Sequence, residues 1–457
     1  MAKLGMTGRV LAVAVAAAGA AFVSSGASAM SLREAIATAI QSSPDVGATV
    51  SSREANEFAL RVARGGYYPT LDVTGSAGAA IVDNPSTRAS NDDDHVFNPV
   101  QGRLTATQLL FDGFGTDAAV ETQASLVDAA SFEVMNRVEF VAVEIAQAYF
   151  DIIAKSRILA HSQANVEYHQ RIVDDLTRGT SAGAISVADR QQAEERIFAA
   201  RAFMTETREE LESARIRFRR LVGQDPGKIS TPRRLGSAVP GTLSGALALA
   251  RANNPGLHSQ GANIDAANAR IKGAESQFYP KLTLEATGAI GEDLDGVRGR
   301  DAEAKAEGVV RWNLFRGGID VANREEQIRR TDEERHRLRQ VDREVEEGIR
   351  QAWNKRAREA ERLDLRSRQL ATTDQLLNSY TEQFKVGNRS LLDLLDTQNT
   401  RFNAQVRVAT ADSTVRFSEY RILATAGVLT QTLGVAPPDA ARPYAREQAR
   451  VPSATRD

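Results

Sequence analysis

Residues 303–315 read EAKAEGVVRWNLF, and the fold turns on this stretch. Ala304, Ala306, Gly308, Val310, Trp312 and Leu314 alternate with Glu303, Lys305, Glu307, Arg311 and Asn313. Period two sends the two sets to opposite faces of a strand. A strand of about ten residues with one apolar and one polar face suits a transmembrane β-barrel. Three more such segments follow from the same reading: 70–83, 102–112 and 281–291. In 71–81, Leu71, Val73, Ala77, Ala79 and Ile81 alternate with Asp72, Thr74 and Ser76. Leu282, Leu284, Ala286 and Ile290 alternate with Lys281, Thr283, Glu285 and Thr287. Leu284, Val310 and Trp312 are expected toward lipid, and Glu285, Glu307 and Arg311 toward a lumen. A sandwich edge with one wet face is the other architecture that fits this pattern.

The four segments belong to a duplication. Leu32, Pro44, Tyr68 and Pro69 match Leu243, Pro255, Tyr279 and Pro280 at an offset of 211. Leu110-Phe111-Asp112-Gly113 matches Leu314-Phe315-Arg316-Gly317, and Gly183 to Asp189 matches Gly387 to Asp393, both at 204. The drop of seven places a longer loop in the first copy, around 82–100, since insertions fall in loops. Loops 82–100 and 292–302 read as solvent-exposed hairpin tips. The expected organisation is a first repeat over 30–234, a second over 235–434, and a disordered tail over 435–457. Each repeat holds a helical stretch (31–66; 242–277), two strands, and two long helices joined at a glycine.

In the first long helix Val138, Val141, Ile145, Ala148, Ile152 and Leu159 recur at three- and four-residue steps, a heptad-like seam. About 60 helical residues from Asp117 reach roughly 90 Å. The second copy alternates charge signs along 319–386, as a solvated helix face does. Aromatics make up 6% and apolar residues 42%, a composition that favours long helices with narrow seams over a thick core. Residues 1–29 read as a secretory signal: Lys3 and Arg9, then a 13-residue apolar run from Leu11 to Val23, then Ala27-Ser28-Ala29. No apolar run of membrane-spanning length follows.

Several function classes fall away. Basic and acidic residues balance at 57 to 59, so no electrostatic case for nucleic acid exists. There is no Cys, and five scattered His leave no metal or general-base constellation. Gly113 to Ala118 matches GxGxxA, but the strand before it alternates, unlike the buried strand of a dinucleotide fold. Gly223 to Lys228 is one residue short of a phosphate loop and reads as a helix stop. Asn91 to Asp94 lacks the Gly and distal Glu of a calcium loop. No enzyme, cofactor or metal is expected.

Four strands cannot close a barrel, and an open edge is forbidden in lipid. Membranous strands therefore require an oligomer; two chains supply eight strands and three supply twelve. The second informative stretch is Phe384 to Asp396, which ends one helix at Gly387 and starts another at Ser390, a plausible N-cap with Asp393 three residues on.

The repeat order, the Tyr-Pro before each first strand, the Leu-Phe-x-Gly after each second, and Val386-Gly387-x-Arg389-Ser390-x-x-Asp393-x-x-Asp396 together resemble the TolC family of outer-membrane channels, over about 31–434. The resemblance implies an α+β membrane protein: a homotrimer whose strands form a 12-stranded barrel in outer-membrane lipid, continued by an α-helical tunnel across the periplasm. It implies a periplasmic gate at Asp189, Phe384 and Arg389, an entrance carboxylate ring of Asp393 and Asp396, and adaptor-contacting tips at Gly183, Val386 and Gly387. Phe384 stands where the best-known relatives have Tyr, so one hydroxyl link is missing. The implied partners are a periplasmic adaptor and an inner-membrane ABC or other export pump. The Leu109 to Thr116 junction and the missing lipidation Cys look like the type I protein-secretion branch. Multidrug efflux is the second reading, and a periplasmic coiled-coil scaffold without a pore the third.

Overall fold

The computed structural model describes residues 30–181 and 186–453. The expected signal segment and Gly183 lie outside the described residues. The first half runs α1 (Leu32–Ser42), α2 (Pro44–Gly65), β1 (Thr70–Ala77), β2 (Ala80–Ile81), α3 (Pro85–Ser90), β3 (Val96–Phe97), β4 (Val100–Phe111), α4 (Gly115–Ser181) and α5 (Val187–Val222). The second runs α6 (Leu243–Asn253), α7 (Pro255–Glu275), β5 (Lys281–Glu292), β6 (Arg300–Arg311), α8 (Ile319–Lys385) and α9 (Leu391–Thr425), followed by α10 (Leu429–Leu433) and α11 (Ala445–Ala449).

Local sequence sets the boundaries in the same way in both halves. Ser43 caps α2 ahead of Pro44, and Asn254 caps α7 ahead of Pro255. A Pro at the first helical position gives up an N–H that has no partner there anyway. Asp112 caps α4 through the Thr116 N–H and hydroxyl, both at 2.8 Å. Gly113 makes the bend from β4 to α4 at φ 67, where a Cβ would sit 2.6 Å from Tyr279 Cβ. Close packing and a left-handed backbone explain this glycine without a bound nucleotide. Gly223 ends α5 in the left-handed conformation, its N–H bonded to Arg219 O.

The main sheet is antiparallel in the order β1-β4-β5-β6. Directly opposed residues share a face in such a pair. Asp72↔Thr105↔Thr287↔Lys305 and Thr107↔Glu285↔Glu307 run across one face. Leu71↔Ala106↔Ala286↔Ala306 and Val73↔Leu104↔Gly288↔Ala304 run across the other. Arg311 bonds Glu285 at 3.0 Å on the polar face. Among the described residues, neither β1 nor β6 has a second neighbour within the chain.

Two strands have limits more than two residues from the sequence reading. The first strand stops at Ala77, because Ala80–Ile81 turns away to pair with Val96–Phe97. The last runs over Arg300–Arg311, since β5 extends to Glu292 and pairs with Arg300. Beyond it, Trp312 donates its indole N–H to Phe278 O at 3.2 Å. The two loops are also not bare tips. Asn84 caps α3 and donates to Asp295 O at 3.0 Å, Arg298 pairs with Asp92 at 2.9 Å, and a Cβ on Gly296 would meet Thr87 Cγ2 at 2.5 Å.

α4 and α8 have 67 residues each, about 100 Å at 1.5 Å per residue. α4 pairs with α5 and α8 with α9, giving two helical hairpins that meet where α4 packs on α9. The main core is a belt around the middle of the hairpins, built on Ile145, Tyr149, Phe218, Tyr420 and Leu423 with α1. Phe150 and Tyr420 meet edge-on at 5.1 Å across the α4–α9 seam.

Residues 435–453 overturn the expectation of a disordered tail. Val435, Ala441 and Ala445 are buried. The Asp128 carboxylate, itself buried, accepts the N–H groups of Tyr444 and Ala445 at 2.8 Å and of Arg446 at 3.2 Å. Arg446 Nε bonds Asp128 at 3.0 Å, and its guanidinium bonds Asp265 at 2.6 Å. Glu139 does the same for α10, accepting from Leu429 N at 3.0 Å and Thr430 N at 2.9 Å. The tail's proline-rich, polar composition hid this, because its order comes chiefly from Asp128, on a helix more than 300 residues earlier. Anions at helix N-termini meet unpaired N–H groups and the positive end of the helix dipole.

Candidate functional site

The free ends of the two hairpins come together around a small apolar cluster. Leu176 of α4, Ala193 of α5, and Leu391 and Leu395 of α9 are buried there, with Ile172, Val173 and Phe384 packed against them. Phe384 thus serves as a packing residue at the end of α8. Gly387 takes φ 76 directly after α8, and Val386 beside it is exposed. Ser390 caps α9: its Oγ accepts the Asp393 N–H at 3.2 Å and donates to Asp393 Oδ2 at 2.9 Å.

Arg389 is held locally. Its Nε donates to Gln383 Oε1 at 2.9 Å, its guanidinium lies 4.2 Å from the Tyr380 ring centroid, and Asp393 is 3.7 Å away. Asp189 sits in the first turn of α5, whose cap Ser186 accepts the Ala188 N–H. Within the chain, and among the described residues, Arg389 and Asp189 do not bond each other. Asp393 and Asp396 lie three residues apart on α9, and both side chains keep substantial exposure, 43% and 57%.

One partner escaped the sequence reading. Arg196 of α5 bonds Asp396 at 3.1 Å, tying the two hairpins together near their ends. Next to it Gln398 Nε2 donates to Asn165 Oδ1 at 2.8 Å, a buried bond between α9 and α4. The available signal was the α4 seam itself. Continued past Leu159, the three- and four-residue steps reach Ser162, Asn165 and His169, so the seam turns polar before its end.

A chain with a four-stranded amphipathic sheet at one end and two long helical hairpins at the other is one subunit of an outer-membrane channel. It belongs to the outer membrane efflux protein family, whose model matches residues 35–224 and 246–428. It is similar to the outer membrane efflux protein BepC of Brucella suis biovar 1, with 24% identity over 423 residues, covering 92% of this chain and 90% of that one. It is similar to the alkaline protease secretion protein AprF of Pseudomonas aeruginosa, with 23% identity over 415 residues, covering 88% and 85%. In fold it resembles the Campylobacter jejuni CmeC outer membrane channel at TM-score 0.75 and 16% identity, covering 92% of this chain and 88% of that one. No helix among the described residues is long and apolar enough to cross a membrane. As a member of this family the protein is an outer-membrane channel of an export system that extends into the periplasm.

Proposed function

We propose that three copies of the chain close a 12-stranded barrel and conduct exported protein out of the cell, as the outer-membrane part of a type I secretion system. The sheet carries the reading. It has one apolar and one polar face and two unpaired outer strands, β1 and β6. Such edges cannot be left open in lipid. Three chains of four strands make a closed ring whose polar face lines a water-filled lumen. The hairpins then form the tunnel wall, with a periplasmic adaptor at the Val386–Gly387 and Gly183 tips and an inner-membrane transporter beneath. Asp189, Phe384 and Arg389 form the gate between neighbouring hairpins, and Asp393 and Asp396 ring the entrance. The β4–α4 junction and AprF's name support protein cargo. The family's description and BepC's name support efflux as the second reading.

Planar-bilayer recording of the detergent-extracted protein tests the pore, and its mass in detergent tests the trimer. Discrete conductance steps from a three-chain particle are expected; a monomer released without detergent would instead support the scaffold. For cargo, deletion of the gene is expected to abolish secretion of a protein into the medium. Unchanged secretion with raised drug sensitivity would assign the channel to efflux.

A further inference from the structure

Between the apolar belt and the apolar tip cluster, one layer of the hairpin interface is polar. Asn165 and His169 of α4 and Gln398 of α9 are buried in it, and Arg196 of α5 reaches across it to Asp396. Three buried side-chain atoms there have no hydrogen-bond partner: His169 Nδ1, Gln398 Oε1, and Arg196 Nε, which has only an ion-pair contact with Glu195 at 3.5 Å. Among the described residues they are the whole set of such atoms, and all three fall in this one layer. Buried polar groups are normally paired, so a cluster of exceptions asks for a role. Water would satisfy all three if the hairpins parted here.

The charges around the imidazole are few. From α5, Arg196 and Glu195 face it. From α9, the charge at this layer is Asp396, through Arg196. On its own helix the Tyr168 ring lies edge-on at 5.6 Å. Burial first, then Arg196, hold the His169 pKa below its ordinary value, and Glu195 opposes them only in part.

We propose that this layer is a proton-operated clasp: protonation of His169 parts the α8–α9 hairpin from α4–α5 at the free end and widens the channel entrance. The proposal rests on the channel reading for its consequence, but the parting is a property of the hairpins themselves. A protonated His169 would place a buried cation beside the half-buried Arg196, whose partners Asp396 and Glu195 are already engaged. Hydration is the way out, and parting α9 from α4 and α5 at the Asn165–Gln398 and Arg196–Asp396 bonds supplies it. The direction follows from linkage. The parted, wet form takes up a proton near the ordinary imidazole value of about 6.5, and the clasped form only at lower pH. The clasped form is therefore fully favoured above that value. It loses ground as pH falls through it, by up to tenfold in the population ratio for each pH unit separating the two pKa values.

The chain has no cysteine, so two introduced thiols can carry spin labels without background. Labels at Ser181→Cys and Leu392→Cys, at the exposed ends of α4 and α9, report hairpin separation by pulsed dipolar spectroscopy on the reconstituted full-length protein. A longer-distance population is expected to grow as pH is lowered from 8 to 5. His169→Gln should hold the short distance throughout. Arg196→Gln removes the neighbouring cation that opposes a protonated His169 in the clasped form, so it should shrink the pH-driven change in the distance distribution. A wild-type distance independent of pH, or the same titration in His169→Gln, would overturn the clasp. If His169→Gln does not assemble, Arg196→Gln decides, and a pH-driven change as large as the wild type's rejects the proposal. Conductance is recorded separately: a wild type silent at every pH refutes the channel reading, while the distances alone judge the clasp.

Discussion

Asp128→Ala is expected to release the C-terminal segment while leaving the hairpins folded. The Asp128 carboxylate accepts four hydrogen bonds: the N–H groups of Tyr444, Ala445 and Arg446, and Arg446 Nε. Arg446 keeps a second partner in Asp265, so it is not left as an unpaired buried cation. The loss falls mainly on the backbone groups at the start of α11. Each unsatisfied buried donor costs about 1–3 kcal/mol. Part of this is recovered as the segment swings into water, so a local destabilisation of about 3–5 kcal/mol is expected, the range for breaking a buried charged network. α11 packs on α4, and Ala445 shares a small cluster with Leu60, Val120, Ala124 and Val127, too little to hold the segment alone. Hydrogen exchange of 436–453 by mass spectrometry is the assay. Amides of 444–450 should exchange at least a hundredfold faster in the variant, from about 3 kcal/mol at 1.4 kcal/mol per decade, with the α4–α5 belt unchanged. Equal protection in variant and wild type would mean that apolar packing, not the carboxylate, orders this segment.

Three further outcomes are expected. Val310→Arg should cost about 2–4 kcal/mol on the lipid face near the midplane and impair assembly, whereas Glu307→Gln should assemble and alter ion selectivity; normal assembly of the first with unchanged selectivity of the second would invert the face assignment. Arg389→Ser should raise resting conductance with a stability change of about 0–1 kcal/mol, because its contacts within the chain are half exposed; conductance at the wild-type closed level would put the gate elsewhere. Asp393→Ala/Asp396→Ala should weaken block by a trivalent cation applied from the periplasmic side, since carboxylate rings favour cations; equal blocking affinity would leave Asp393 as a helix cap alone.

Strand identity and facing were legible because a two-residue period allows only one arrangement of Glu285, Glu307 and Arg311 against Leu284 and Val310. The helix ends were legible from Ser390, Gly387 and Gly223, whose chemistry is local. What sequence reasoning missed depends on distance along the chain. The carboxylates Asp128 and Glu139 look like ordinary polar positions on α4 until their partners arrive some 300 residues later. Arg196 and Asp396 are 200 residues apart, and neither neighbourhood hints at the other. The docking of the two strand loops through Asn84, Asp295 and Gly296 was equally out of reach, since loop composition reports solvent preference and not which loop lies alongside.

The equal lengths of α4 and α8 make residue count a ruler. Both hairpins must reach the same depth below the membrane, because Leu176, Ala193, Leu391 and Leu395 have to meet at one level. An insertion of one heptad in α4 alone would lower one arm by about 10 Å and leave its partner helix short. A longer or shorter tunnel therefore calls for the same whole-turn change in α4, α5, α8 and α9 together. The span from outer membrane to entrance can thus change only in steps shared by both halves of the gene.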